Sequence, residues 1–284
     1  MLDLIKSIII GIVEGLTEFL PVSSTGHIIL AETLMKIPGG AVWTKSFTPF
    51  FDYAIQLGAI FAVIQLYFNK LNPFSPQKTD REKFQTWRLW IRVAVGVLPA
   101  VVFGLLLNDF MDAHLLNFWV VSAMLIIYGV IFIVIENRQK GIAPLITDVN
   151  QITFKLALYI GLFQVLSLVP GTSRSGATIL GAIILGASRF VAAEFSFFLS
   201  IPVMFGVTLL KMFKFFHEGG SFTGMQGLVM LFGFVVSWIV ALFAIKFMMN
   251  YIKNNDFKAF GYYRIIVGVI FLLLGVTGVI TTMH

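Results

Sequence analysis

Six stretches of this chain, roughly 50–68, 89–107, 115–135, 190–210, 227–248 and 264–280, are apolar for long enough to cross a bilayer as helices. Such runs have no place in a soluble globule, which lacks the core to bury them. Of the 284 residues 58% are hydrophobic and only 12% charged, so little polar surface is available to face water. The runs are continuous rather than alternating, which excludes the strands of a membrane β-barrel. The fold class expected is therefore an all-α polytopic membrane protein. The chain has no cysteine, which removes disulfides, thiolate nucleophiles and thiolate-bound metals. Its net charge of +6 reads as membrane topology, with no nucleic-acid partner expected, because Lys and Arg gather in short loops. Lys6 precedes only a short apolar run before Glu14, without a small-residue cleavage site, so no signal peptide is expected.

Two further apolar regions, about 4–35 and 152–187, break at a proline and restart among hydroxyls and glycine. The first break runs Pro21-Val22-Ser23-Ser24-Thr25-Gly26-His27, and the second Pro170-Gly171-Thr172-Ser173-Arg174-Ser175-Gly176. Each half is too short to span comfortably, so both regions are expected as re-entrant helical hairpins beside about six transmembrane helices. Unwound backbone at membrane depth is tolerated only where protein or a water-filled cavity surrounds it.

The breaks are not the only repetition. Tyr128-Gly129-Val130-Ile131-Phe132 returns as Val267-Gly268-Val269-Ile270-Phe271, and Asp52 and Glu194 each open the first span after a hairpin. One membrane domain, 1–284, is expected, with repeats of about 1–141 and 152–284, each a hairpin followed by three spans. An odd number of spans inverts the second copy, an architecture that places sites where broken helices meet. Basic residues fall mostly in the loops 69–87, 136–151 and 249–263, with Arg88 and Arg264 adjoining them. The opposite loops hold Lys36, Lys45, Lys211 and Lys214, with none in 108–114. The richer side is expected in the cytoplasm, leaving both termini outside.

Charged side chains in hydrocarbon cost several kcal/mol unless paired, so those at the breaks ask for a function. Glu14 and Glu18 stand one helical turn apart and repel unless a cation or proton lies between them. Their hard oxygens suit Mg²⁺ or Ca²⁺, with substrate phosphate completing the shell. Ser23, Ser24, Thr25 and Gly26 open one half-helix, and Thr172, Ser173, Arg174, Ser175 and Gly176 another. Such hydroxyls can cap a helix, and the open N–H groups behind them can hold an anion. The Arg174 guanidinium matches phosphate oxygens; it could instead pair with Glu18 as a structural ion pair, which would not exclude a phosphate role during turnover. His27 can serve as nucleophile, acid/base, metal ligand or simple hydrogen-bond partner. Gln56 and Gln65 receive no role. Metal, phosphate clamp and proton carrier together fit phosphoryl transfer, with water the simplest acceptor. The 30 phenylalanines suit a phosphate ester on a long hydrocarbon tail.

These strings closely resemble the undecaprenyl-diphosphate phosphatase family, the bacitracin-resistance proteins. The resemblance rests on Glu14-x-x-x-Glu18, on Pro21 to His27 and on Pro170 to Thr178, and span pattern and length agree along the whole chain. It implies hydrolysis of undecaprenyl diphosphate to the monophosphate in the bacterial inner membrane, recycling the cell-wall lipid carrier and conferring bacitracin resistance. It further implies a divalent cation and an active site open to the outer face. Membrane lipids and the polyprenyl diphosphate are the partners expected, with a homodimer also open. By the same resemblance Glu14 and Glu18 bind metal or handle protons, while Ser23, Ser24, Thr25, Ser173 and Arg174 contact phosphate. The attacking group is left among Ser24, His27 and a metal-bound water. His27 is preferred, as proton carrier or phospho-acceptor, because a serine in apolar surroundings needs a base beside it. The rival expectation is a flippase that binds the same head group without cleaving it.

Overall fold

The computed structural model describes residues 1–217 and 219–280. Eleven α-helices and two 3₁₀ turns account for its regular structure, with no strand among the described residues. The first interrupted region is α1 (Leu2–Thr17) and α2 (Ser24–Met35). Then come α3 (Phe47–Leu66), the short α4 (Phe68–Leu71), α5 (Asp80–Leu115) and α6 (Phe118–Arg138). The second interrupted region is α7 (Phe154–Val165) and α8 (Arg174–Ile184), followed by α9 (Arg189–His217), α10 (Gly224–Tyr251) and α11 (Lys258–Val276). Helices α3, α5, α6, α9, α10 and α11 are long and apolar enough to cross a membrane.

Several helices outrun the apolar stretches that announce them, because polar caps nucleate them earlier. α5 begins at Asp80 rather than near residue 89, where the Thr79 hydroxyl accepts from the Glu82 N–H and Glu82 accepts from the Thr79 N–H. Thr223 and Gln226 start α10 in the same way. The segment 108–114, expected as a loop, instead continues α5.

α9 is the central helix. Its residues 191–201 are buried on every side, with Phe195, Phe197, Phe198 and Leu199 fully enclosed, and α3, α5 and α8 pack around it. α1 lies on α10, α7 on α5, α10 on α3, and α6 on α11. Small residues allow these approaches, as hydrocarbon offers helices packing rather than a hydrophobic drive. A Cβ on Gly11 of α1 would lie 2.7 Å from the Gly233 carbonyl of α10, and Gly161 of α7 meets Gly96 of α5 still more closely. Gly129 and Gly261 face each other across α6 and α11, and Gly268 meets the Ser122 carbonyl on the same pair. Outward faces carry exposed Leu105, Leu106, Leu209, Phe213 and Phe243, a surface suited to lipid.

Charged pairs join the helices away from the breaks. Lys70 donates to both oxygens of Glu194 at 2.8 Å. Arg189 clasps Glu136, whose Oε1 also accepts from the Phe257 N–H at 3.1 Å. Glu194 is thus a structural partner of Lys70, while Asp52 lies within electrostatic reach of Glu14 and Glu32.

Candidate active site

At the first break α1 stops after Thr17, and Glu18 caps its end with its N–H on the Glu14 carbonyl. The chain turns through Phe19 to Val22, and Ser23 reverses it at φ 76° before α2 begins. At the second break Gly171 takes φ 90° and Ser173 φ 74° before Arg174 opens α8. Gly171 is required here twice over, since a Cβ would also lie 2.7 Å from the Val121 carbonyl oxygen. Ser173 caps α8, accepting from the Gly176 N–H at 3.1 Å, whereas Ser23 makes no such bond to α2.

The two breaks touch. Ser175 donates to the carbonyls of Glu18 at 3.1 Å and Leu20 at 3.3 Å. Arg264 of α11, with no exposed surface, donates to Pro21 O of one break and to Gly171 O and Thr172 O of the other, at 3.1, 2.8 and 3.0 Å. The sequence counts Arg264 beside a basic loop; the structure instead makes it the bolt between the tips. Turned backbone leaves carbonyls without helical partners, and one guanidinium satisfies three of them.

From this junction the charged groups face one cavity of about 210 Å³. Glu18 is its centre: Oε1 accepts from Arg174 Nη2 at 2.7 Å, and Oε2 accepts from the Ser24 hydroxyl at 2.6 Å. Arg174 is fixed further by donation to the Ser196 carbonyl at 2.9 Å. Thr25, Gly171 and Ser173 also line the cavity, as do Ser167 and Gln56, which sequence reasoning left without a role. Val203, Met204 and Val207 of α9 form an apolar wall. A glutamine amid the apolar residues of α3 was the one signal that could have marked Gln56, and Gln65 on the same helix, which accepts from Trp238, carries that signal equally.

The remaining expected residues stand behind or beside the cavity. Glu14 is fully buried, and neither carboxylate oxygen has a hydrogen-bond partner. It lies within electrostatic reach of Glu18, Asp52 and Arg174. Thr172, Ser175 and Gly176 are buried outside the cavity lining, as is Ser23. Ser175 and the Thr172 carbonyl bond across the junction, while the Gly176 N–H bonds within the α8 cap and the Ser23 carbonyl meets His27. Gly26 packs toward Val121 and Leu125 of α6. His27 turns away: its ring bonds the Ser23 carbonyl and the Tyr263 hydroxyl and does not line the cavity. The arrangement brings together Glu18, Ser24, Thr25, Ser173 and Arg174, and leaves His27 apart.

The donor chemistry here is of a kind that suits a divalent cation, with both Glu18 oxygens at present bonded to Arg174 and Ser24. Glu14 offers two orphaned oxygens one turn from Glu18, a hard-oxygen set of the kind Mg²⁺ or Ca²⁺ takes. Among the described residues no three acidic, histidine or cysteine side chains converge as a closed metal site. Any such ion would then draw the rest of its shell from water and substrate.

Fold and site define a multi-pass helical membrane protein whose charged cavity forms where two broken helix pairs meet. The chain belongs to the bacitracin resistance protein BacA family, whose model matches residues 7–270. It is 82% identical over 280 residues to an undecaprenyl-diphosphatase of Leuconostoc citreum, covering 99% of each chain. A protein of that name from Leuconostoc mesenteroides is 83% identical over 99% of this chain and all of its own. One from Lactiplantibacillus plantarum is 56% identical over the full length of both.

Proposed function

We propose that this chain hydrolyses undecaprenyl diphosphate to undecaprenyl phosphate and inorganic phosphate, as the names of its relatives say of them. The observation that carries the reading is Glu18 held between Arg174 and Ser24 in one cavity. Substrate phosphate is the natural competitor for Arg174, since it offers the same fork of oxygens with more charge. As Arg174 turns from Glu18 to phosphate, the carboxylate is released to act as a base. Ser24 already directs its proton at Glu18 Oε2, which supplies the base that a serine nucleophile needs. Ser24 Oγ attacks the terminal phosphorus, its proton passes to Glu18, and the bridging P–O bond breaks with undecaprenyl phosphate leaving. Water then cleaves the phosphoserine and releases phosphate. Thr25 and Ser173 orient the terminal phosphate, and the Val203–Met204–Val207 wall receives the first part of the prenyl tail. This reading moves the attack from His27 to Ser24. A divalent cation held by Glu14 and Glu18 would neutralise diphosphate charge.

The same proposal includes two inverted repeats. It is supported by reciprocal packing, α1 on α10 against α7 on α5, and by the matched positive φ of Ser23 and Ser173. It also includes a cytoplasmic-membrane location with the cavity open to the outer face and the basic loops inside. Hydrolysis of the carrier accounts for bacitracin resistance, because it lowers the diphosphate available to the antibiotic. Phosphate release from undecaprenyl diphosphate by the purified protein in detergent tests the function. A protein that only flips the lipid releases none.

A further inference from the structure

His27 takes no part in the proposed reaction, yet it has two partners. Nδ1 lies 2.7 Å from the Ser23 carbonyl oxygen, and Nε2 lies 2.8 Å from the Tyr263 hydroxyl. A carbonyl can only accept, so the proton belongs on Nδ1. The neutral ring then keeps one lone pair, on Nε2, and the Tyr263 hydroxyl donates to it. The two rings stack with centroids 5.6 Å apart and planes within 3°.

What His27 grips matters more than what grips it. Ser23 sits at φ 76°, ψ 92°, a backbone conformation that residues with a side chain rarely adopt. Its counterpart Ser173, at φ 74°, is steadied by its own hydroxyl bond to the Gly176 N–H. Ser23 lacks that bond, and the imidazole on its carbonyl takes the place of one. The next residue is Ser24, so the peptide at Ser23 decides where the Ser24 hydroxyl points.

We infer that Tyr263 is a positioning residue: its hydroxyl keeps His27 in the Nδ1–H tautomer, which holds the strained turn that aims Ser24 at Glu18. This rests on the assignment of Ser24 and Glu18 to the chemistry. Neither ring lines the cavity, so both act through the Ser23 peptide.

The experiment uses purified full-length protein, undecaprenyl diphosphate and phosphate release, with thermal melting to establish folding. Asparagine places an N–H near the position of Nδ1 and has nothing at Nε2; glutamine does the reverse. His27→Asn should stay within about tenfold of the parent kcat, a loss comparable to one hydrogen bond. His27→Ala and His27→Gln should lose about 100-fold, the cost of a misplaced reacting group. Tyr263→Phe should lower kcat about tenfold with KM unchanged, and should add nothing in the His27→Asn background. Nitrogen NMR of the labelled parent protein should show the His27 proton on Nδ1. Any one of four results overturns the inference: folded His27→Asn as slow as His27→Ala, phosphate covalently trapped on His27, full kcat in Tyr263→Phe, or a proton on Nε2. Failure of the phosphatase reading itself looks different, since the parent protein would then release no phosphate.

Discussion

Nη2 of Arg174 lies 2.7 Å from Oε1 of Glu18, although 156 residues separate them in the chain. Both side chains are largely enclosed, at 12% and 6% exposure, so the pair is desolvated with little water to share the charge. A buried pair of this kind is a weak source of stability, because desolvation offsets most of the attraction. Under the proposed reaction its value is that it stores the two charges that substrate phosphate and reaction proton would need.

Removing either member should abolish the chemistry. Glu18→Gln and Arg174→Ala are expected to slow phosphate release by at least about 100-fold, the scale of a major transition-state charge contact. Arg174→Lys should recover only part of this, since an ammonium cannot form the fork. Release rates of the folded variants check the point, and near-parental rates in either would contradict the site.

Ser24 should matter as much as its base. With its hydroxyl 2.6 Å from Glu18 Oε2, Ser24→Ala is expected to lower kcat by about 100-fold or more. Trapping of phosphate on Ser24 from labelled substrate in an acid quench is the direct measurement. A rate within a few-fold of the parent would return the attack to water.

Glu14 is where cation dependence should appear. Chelation is expected to stop phosphate release, and added Mg²⁺ or Ca²⁺ to restore it. Glu14→Gln should raise the cation concentration needed for half-maximal rate by about tenfold or more, as a shell with one carboxylate fewer holds the ion less tightly. An unchanged cation titration would remove Glu14 from the metal assignment.

Arg264 should be a stability residue first. Arg264→Met leaves Pro21, Gly171 and Thr172 carbonyls buried without their donor. An unsatisfied buried group costs about 1–3 kcal/mol, so the variant should melt well below the parent or fail to accumulate. A parental melting temperature in detergent would show that the tips do not need the bolt.

Gly171→Ala isolates the backbone requirement from charge. The residue sits at φ 90°, and its Cβ would press on the Val121 carbonyl at 2.7 Å. Strain of about 1–3 kcal/mol should lower the melting temperature and misplace the neighbouring Ser173 and Arg174. Thermal melting and phosphate release should fall together.

The membrane fold was legible because its cause is local. Each spanning helix satisfies its own backbone and shows as a run of apolar residues, so six such runs can be read without knowing their neighbours. Glu14, Glu18, Ser24 and Arg174 were legible for a related reason: polar groups amid hydrocarbon stand out against their surroundings. Partnership was not legible, since it depends on which helices meet. Only the tertiary structure set Arg264 between the tips, took His27 out of the cavity and onto Tyr263, and brought Gln56 in. Side-chain direction at a break follows from turned peptides such as Ser23 and Ser173, and no spacing rule describes those. The sequence by itself determined that charge would be buried at two broken helices; the packing of α8, α9 and α11 around the breaks decided which charge meets which.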